Sequence, residues 1–115
     1  MVVSDGDDRA TELLRALAEP RRREILRLVA SQELPAGTIA EAFDVTRPAI
    51  SQHLTVLRDA GLVSERREGT KRLYRAEPRS AREVRAVLDD IWGNALARAR
   101  DLVEDASHEN AEETA

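Results

Sequence analysis

The sequence predicts a mainly α-helical fold with one small β-hairpin, and three observations predict it. Residues 38–63, TIAEAFDVTRPAISQHLTVLRDAGLV, carry apolar side chains at helical spacing in two short runs separated by a turn. Thr46 stands where the second run needs an N-terminal cap, and Gly61 where it needs a left-handed stop. Two short segments of extended type, Leu62 to Arg67 and Lys71 to Ala76, follow around Gly69 and read as a hairpin. Together these spell a winged helix-turn-helix of about five helices plus a two-stranded wing.

Each element has its own reason. From Arg9 to Ala18, Ala10, Leu13, Leu14 and Leu17 follow helical spacing, behind a flexible acidic start at residues 1–8. Pro20 suits the first turn of a second helix, which turns Ile25, Leu26 and Val29 inward and leaves Arg21, Arg22, Arg23 and Arg27 available to solvent or phosphate. A break at Glu33, Leu34 and Pro35 ends it. A short third helix, about Ala36 to Phe43, has Ile39, Ala40 and Phe43 as its apolar side, and Asp44 and Val45 make the turn. Thr46 caps the next helix, and Pro48 falls inside its first turn, where proline is tolerated. Beyond the wing, Ser80, Ala81, Arg82 and Glu83 spell a capping box for a long last helix. Its stripe is Val84, Val87, Leu88, Ile91, Trp92, Ala95, Ala99 and Leu102, and it runs to about Asp105. Residues 106–115 are acidic and small and are expected to be disordered, which leaves 9–105 as the folded domain.

A chain of 115 residues fits one domain, whose small core gains from sharing apolar surface with a second copy. The absence of cysteine removes disulfides, thiolate metal ligands and a thiol nucleophile. No run approaches the ~18 apolar residues of a membrane span. The acidic start lacks the basic and apolar regions of a signal peptide, so a cytoplasmic protein is expected.

The net charge of -4 is unevenly spread. Residues 1–19 carry 2 basic and 5 acidic side chains, residues 20–76 carry 11 and 7, and residues 77–115 carry 5 and 10, so the middle is basic and both ends are acidic. Phosphate contact depends on local positive charge, so the acidic total does not exclude nucleic acid.

At about 100° per residue, Ile50, Leu54 and Leu57 share one side of the second helix of the pair, and Pro48, Ser51, Gln52 and Thr55 share the other. An outward face of hydroxyls and an amide, without bulk or negative charge, suits the floor of a major groove. Gln52 can pair bidentately with adenine, Ser51 and Thr55 can reach bases or phosphates, and Arg47 at the start of the helix is placed for guanine or backbone. The candidate DNA-binding set on this helix is Thr46, Arg47, Pro48, Ser51, Gln52, Thr55 and Arg58. In the wing, Arg67, Lys71 and Arg72 are candidates for phosphate contacts, with Arg66 beside them. His53 projects from the edge of the buried side and reads as a packing residue. Ser51 and His53 are two apart on a helix and diverge, so they do not make a nucleophile and base.

Three stretches, LRALAEPRRREILRLV (14–29), FDVTRPAISQHLTVLRDAGLV (43–63) and RREGTKRLYRA (66–76), resemble the ArsR family of winged helix-turn-helix transcriptional repressors, over about residues 9–104. The resemblance implies a homodimer formed through the first and last helices, with the helix matching 47–60 reading double-stranded DNA. The implied dimer residues are Leu13, Leu14, Leu17, Val84, Leu88, Ile91, Trp92, Ala95, Ala99 and Leu102. The chain departs from the family's metal sensors. Thr38, Ala40, Glu41 and Ala42 stand where thiolate sensors carry cysteines, and the last helix has Asp89 and Asp90 without histidine. His108 beside Glu104, Asp105 and Glu109 is a poor ligand set. No metal or cofactor is expected, and the turn with Phe43, Asp44, Arg47, Pro48 and Ala49 is similar to the metal-independent, SdpR-like branch.

The reading is therefore a homodimeric repressor on an inverted-repeat operator. The alternative is a protein-interaction module that docks through its last helix and has no specific DNA site. An enzyme is disfavoured, because the sequence offers no phosphate-binding glycine loop, paired acid and base, or metal triad.

Overall fold

A computed structural model describes residues 5–93 and 95–113, with side chains for residues 8–93, 95 and 98–107. Residues 1–4 of the expected flexible start and 114–115 of the expected tail lie outside the described residues. The elements are α1 (Asp5–Ala18), α2 (Pro20–Ser31), β1 (Leu34–Pro35), α3 (Ala36–Glu41), α4 (Arg47–Asp59), β2 (Val63–Glu68), β3 (Lys71–Ala76), α5 (Pro78–Trp92) and α6 (Ala95–Glu113). They fall into two compact units, divided between Val84 and Arg85.

The first unit holds the core. Leu13 and Ala16 of α1, Ile25 and Val29 of α2, Ile39 of α3, and Ile50, Leu54 and Leu57 of α4 meet Ala60, Leu62, Val63 and Tyr74 in one buried cluster. Leu13 was expected at a dimer surface. It is fully enclosed by its own chain, so it is a core residue, while Leu14 beside it is 40% exposed.

Two arginines expected to face solvent or phosphate instead close the α1–α2 corner. Arg22 donates from Nε to the Ala16 carbonyl at 2.7 Å and from Nη2 to that of Arg15 at 3.0 Å. Arg23 donates from Nη1 to the carbonyls of Leu17 at 2.7 Å and Ala18 at 3.1 Å. The last carbonyls of a helix have no partner within it, and cations there also complement the helix dipole.

The sheet has three antiparallel strands in the order β1-β3-β2, one more than expected. The break at Leu34 and Pro35 is itself a strand, pairing Leu34 with Tyr74 and Pro35 with Leu73. Proline has no N–H to give a ladder, and β1 is an edge strand, where that loss is tolerated. The β2–β3 turn closes through Glu68 opposite Lys71, leaving Gly69 and Thr70 as a two-residue loop. Gly69 has φ +62° and Thr70 a negative φ, the pattern of a type II′ turn.

The capping box expected at Ser80 is not formed. Pro78 opens α5 two residues earlier, and Ser80 donates both its backbone N–H (3.0 Å) and its hydroxyl (2.6 Å) to the Glu77 carbonyl. Glu83, instead of reaching back, pairs with Arg9.

The expected long last helix is two helices, α5 and α6. The stripe from Val84 to Leu102 is interrupted at Gly93, whose φ of +57° is the left-handed conformation that stops a helix. Residues 106–113, expected to be disordered, continue α6, and Asp5–Asp8 belong to α1. No helix among the described residues is long and apolar enough to cross a membrane.

Candidate nucleic-acid interface

The centre of the candidate surface is α4, and its position is fixed at both ends. At its start Thr46 is extended (φ -71°, ψ 152°), and its hydroxyl oxygen accepts from the Ala49 N–H at 3.3 Å. At its end the Leu62 N–H donates to the Leu57 carbonyl (2.9 Å) and the Gly61 N–H to the Arg58 carbonyl (2.9 Å), the paired bonds of a Schellman stop. Gly61 is needed there, since its φ is +76° and an added Cβ would lie 3.0 Å from Nη2 of Arg9. Arg9 of α1 donates from Nη1 to the Ala60 carbonyl at 2.6 Å and from Nε to Glu83 at 2.7 Å, joining α1, the end of α4 and the start of α5. At the other end the guanidinium of Arg21 lies 5.2 Å from the centre of the Phe43 ring, covering the turn before α4.

Between these anchors the helix is two-faced. Ile50 and Leu57 are fully buried and Leu54 is 1% exposed, so the helix cannot rotate without opening the core. Thr46, Arg47, Pro48, Ser51, Gln52, Thr55 and Arg58 are all exposed. The Thr55 hydroxyl donates to the Ser51 carbonyl at 2.9 Å, which leaves its oxygen lone pairs outward as acceptors. Arg47 reaches back to α3, with Nη2 3.4 Å from where a Cβ on Gly37 would stand, an ordinary contact distance. His53 is half-buried, as expected of a packing residue, and among the described residues its enclosed Nδ1 has no hydrogen-bond partner.

Strand alternation divides the wing candidates between two faces. Val63 opposite Ala76, Glu65 opposite Tyr74 and Arg67 opposite Arg72 share one face, the face whose base enters the core through Val63 and Tyr74. Lys71, opposite Glu68, lies on the other face with Arg66. Arg67, Lys71 and Arg72 thus flank the tip from both sides rather than forming one row.

Their partners also differ. Arg66 is held by Glu33 through contacts of 2.6 Å and 2.9 Å, and its hydrogen bonds, helped by its charge, keep that carboxyl below the ordinary range. Arg58 reaches Glu65 at 3.0 Å and Asp59 at 3.4 Å, and Arg72 reaches the same Glu65 at 3.7 Å. Burial pushes the Glu65 carboxyl up, but Arg58, the Tyr74 hydroxyl and Arg72 outweigh it and hold it lowered. The Tyr74 hydroxyl is pushed up by burial and by the Glu65 charge. Among the described residues, Arg67 and Lys71 have no carboxylate partner. Glu65 was missed in the sequence, although counting back in twos from the Gly69–Thr70 loop places it on the face of Arg67. Among the described residues no three His, Asp or Glu side chains converge as metal ligands.

Residues 19–65, from the cap of α2 through α4 into β2, match the family model described as bacterial regulatory protein, arsR family. The chain is 40% identical over 89 residues to the HTH-type transcriptional regulator Rv2034 of Mycobacterium tuberculosis, covering 77% of this chain and 83% of that relative. It belongs to the arsR family. A second relative, the transcriptional repressor SdpR of Bacillus subtilis, is 40% identical over 57 residues, covering 50% of this chain and 63% of SdpR. Among solved structures, the solution structure of the homodimeric winged helix-turn-helix DNA-binding domain Mb0332 of Mycobacterium bovis superposes with a TM-score of 0.64 at 31% identity, over 82% of this chain and 91% of that one. The arsR fold is thus a winged helix here too, and the family is one of transcriptional regulators, not of enzymes.

Proposed function

We propose that this chain is a homodimeric repressor that occupies an inverted-repeat operator in double-stranded DNA and blocks access of RNA polymerase. The observation that carries the reading is the division of α4 into a locked face, Ile50, Leu54 and Leu57, and an exposed polar strip, Arg47, Ser51, Gln52 and Thr55. A helix offered in this way can lie in a major groove with only the strip against the bases. Gln52 reads adenine, Arg47 takes guanine or backbone, and Ser51 and Thr55 fix register, Thr55 as an acceptor. Thr46 and Pro48 frame the start of the helix, and Arg58, Arg67, Lys71 and Arg72 serve the phosphates.

Dimer formation is supported by large apolar side chains that the chain itself leaves uncovered. Leu88 is 38% exposed, Ile91 60%, Trp92 52% and Leu102 69%, and in the first unit Leu14 is 40% exposed. With the half-buried Leu17 and Val84 and the exposed Ala95 and Ala99, these are the proposed partner contacts. The homodimeric DNA-binding domain from Mycobacterium bovis supports the same assembly. In the dimer, residues 9–105 act as one DNA-binding and dimerisation domain. Two α4 helices then enter successive major grooves on one face of the duplex, about 34 Å apart. Such a repressor works on the chromosome, which places it in the cytoplasm.

DNase footprinting and gel shift on the DNA upstream of its own gene test the reading. A protected inverted repeat, bound by two copies, is expected. An unprotected upstream region together with no duplex selected from a randomised library overturns it.

A further inference from the structure

Two arginines assigned to the phosphates, Arg58 at the end of α4 and Arg72 on β3, are already engaged by one carboxylate. Glu65 lies between them at 3.0 Å and 3.7 Å, with its side chain 21% exposed against 41% for Arg58 and 52% for Arg72. The three residues come from three elements, the reading helix and both wing strands, so the cluster ties the wing to α4. Glu65 also shares its sheet face with Arg67 and Tyr74, which puts a negative charge within the surface proposed to meet a polyanion.

Stability accounts for a carboxylate at this place only in part. Arg58, the Tyr74 hydroxyl and Arg72 outweigh desolvation and hold the Glu65 carboxyl lowered, but ion pairs as exposed as these add little to folding. Binding accounts for it better. An arginine free to swing meets phosphates at many geometries and so attracts any duplex. An arginine held by Glu65 meets a phosphate without breaking its ion pair only where the duplex presents one at the held position. Specificity is a difference of affinities, and a device that weakens the wrong complexes raises it as surely as one that strengthens the right complex.

We infer that Glu65 is a specificity-determining residue: by holding Arg58 and Arg72 in place it denies them to non-cognate DNA while leaving them positioned for the operator. The inference rests on the DNA-binding reading above. It makes Glu65 a positioning residue, acting on DNA through the two arginines.

The test compares the wild-type chain with Glu65→Gln on two duplexes: one selected by the wild type from a randomised library, and a scrambled duplex of the same composition. Removing the charge is expected to tighten scrambled-duplex binding by about 3-fold to 10-fold and to steepen its salt slope by about one. Affinity for the selected duplex is expected to stay within about twofold or weaken, so the ratio falls. If the glutamine variant is unstable, Glu65→Met, of similar length and without hydrogen-bonding demand, gives the same readout. An unchanged or increased ratio overturns the inference, and so does weaker binding to both duplexes in equal measure, the signature of a purely structural strut. A wild-type chain that selects no duplex overturns the DNA-binding reading along with it. Selection by the wild type with an unaltered ratio in the variant overturns the Glu65 inference alone.

Discussion

Arg9 joins α1, the end of α4 and the start of α5, so truncating it should cost the fold measurably. Arg9→Met keeps the aliphatic stem and removes only the guanidinium. The bond from Nη1 to the Ala60 carbonyl, at 2.6 Å, is charge-assisted and closes the end of α4, a type of bond worth about 1.5–3 kcal/mol. The pair with Glu83 is 33% exposed on each side, so solvent screening holds its share to roughly 0–1 kcal/mol. The expected loss is about 2–3 kcal/mol, or roughly 8–15 °C in Tm for a chain of this size. Urea unfolding at one fixed protein concentration measures it, since pairing of copies makes apparent stability concentration-dependent. Glu83→Gln, which spares the Ala60 bond, should cost no more than about 1 kcal/mol. A loss under about 0.5 kcal/mol for Arg9→Met, or equal losses for the two variants, would refute the assignment of the larger share to the carbonyl.

Four further outcomes are expected. Gln52→Ala should relax preference at one base pair by about 1–3 kcal/mol, read from a panel of single-position operator variants. Arg67→Ala, which removes a cation without a carboxylate partner among the described residues, should weaken all duplexes alike and reduce the salt slope by about one. Trp92→Glu should convert the dimer to monomers in analytical ultracentrifugation, because it sets a charge in the uncovered apolar stripe of α5. Acid should destabilise the fold through Glu33, Glu65 and Glu83, whose carboxyls are all lowered in the folded chain. A lowered carboxyl stabilises fully above its unfolded value, about 4.3, and the benefit is lost as pH falls through the folded value, so thermal melts should drop steadily below about pH 4.

The fold was legible wherever a local rule decided it. Thr46, Pro48 and Gly61 bound α4 because a cap, a first-turn proline and a left-handed stop need no tertiary context. The two faces of α4 followed from the spacing of Ile50, Leu54 and Leu57. What escaped depended on distant partners. Leu34 and Pro35 form a strand only because Tyr74 and Leu73, about forty residues on, offer an edge. Arg22 and Arg23 look outward on any helical projection, yet their long side chains bend back to the carbonyls of the preceding helix. The Ser80 box matched its sequence pattern and still lost to Pro78 two residues earlier, with Glu83 drawn off by Arg9. The break at Gly93 was hidden because the apolar stripe resumes beyond it. For the candidate site, which side chains of α4 lie outward was readable. The ion pairs that engage Arg58, Arg66 and Arg72 were not, because they depend on which carboxylates the sheet register brings near.

The third strand turns the wing from a loose flap into a cantilever. Two β1 pairings, backed by Glu33 on Arg66, clamp its inner half, so only residues 67–72 overhang. At about 3.3 Å per residue this beam extends roughly 10 Å, enough to touch one sugar-phosphate rail beside the groove but not to wrap the duplex. The arc of helix that each subunit can survey is therefore short, and a longer target has to come from placing two subunits side by side.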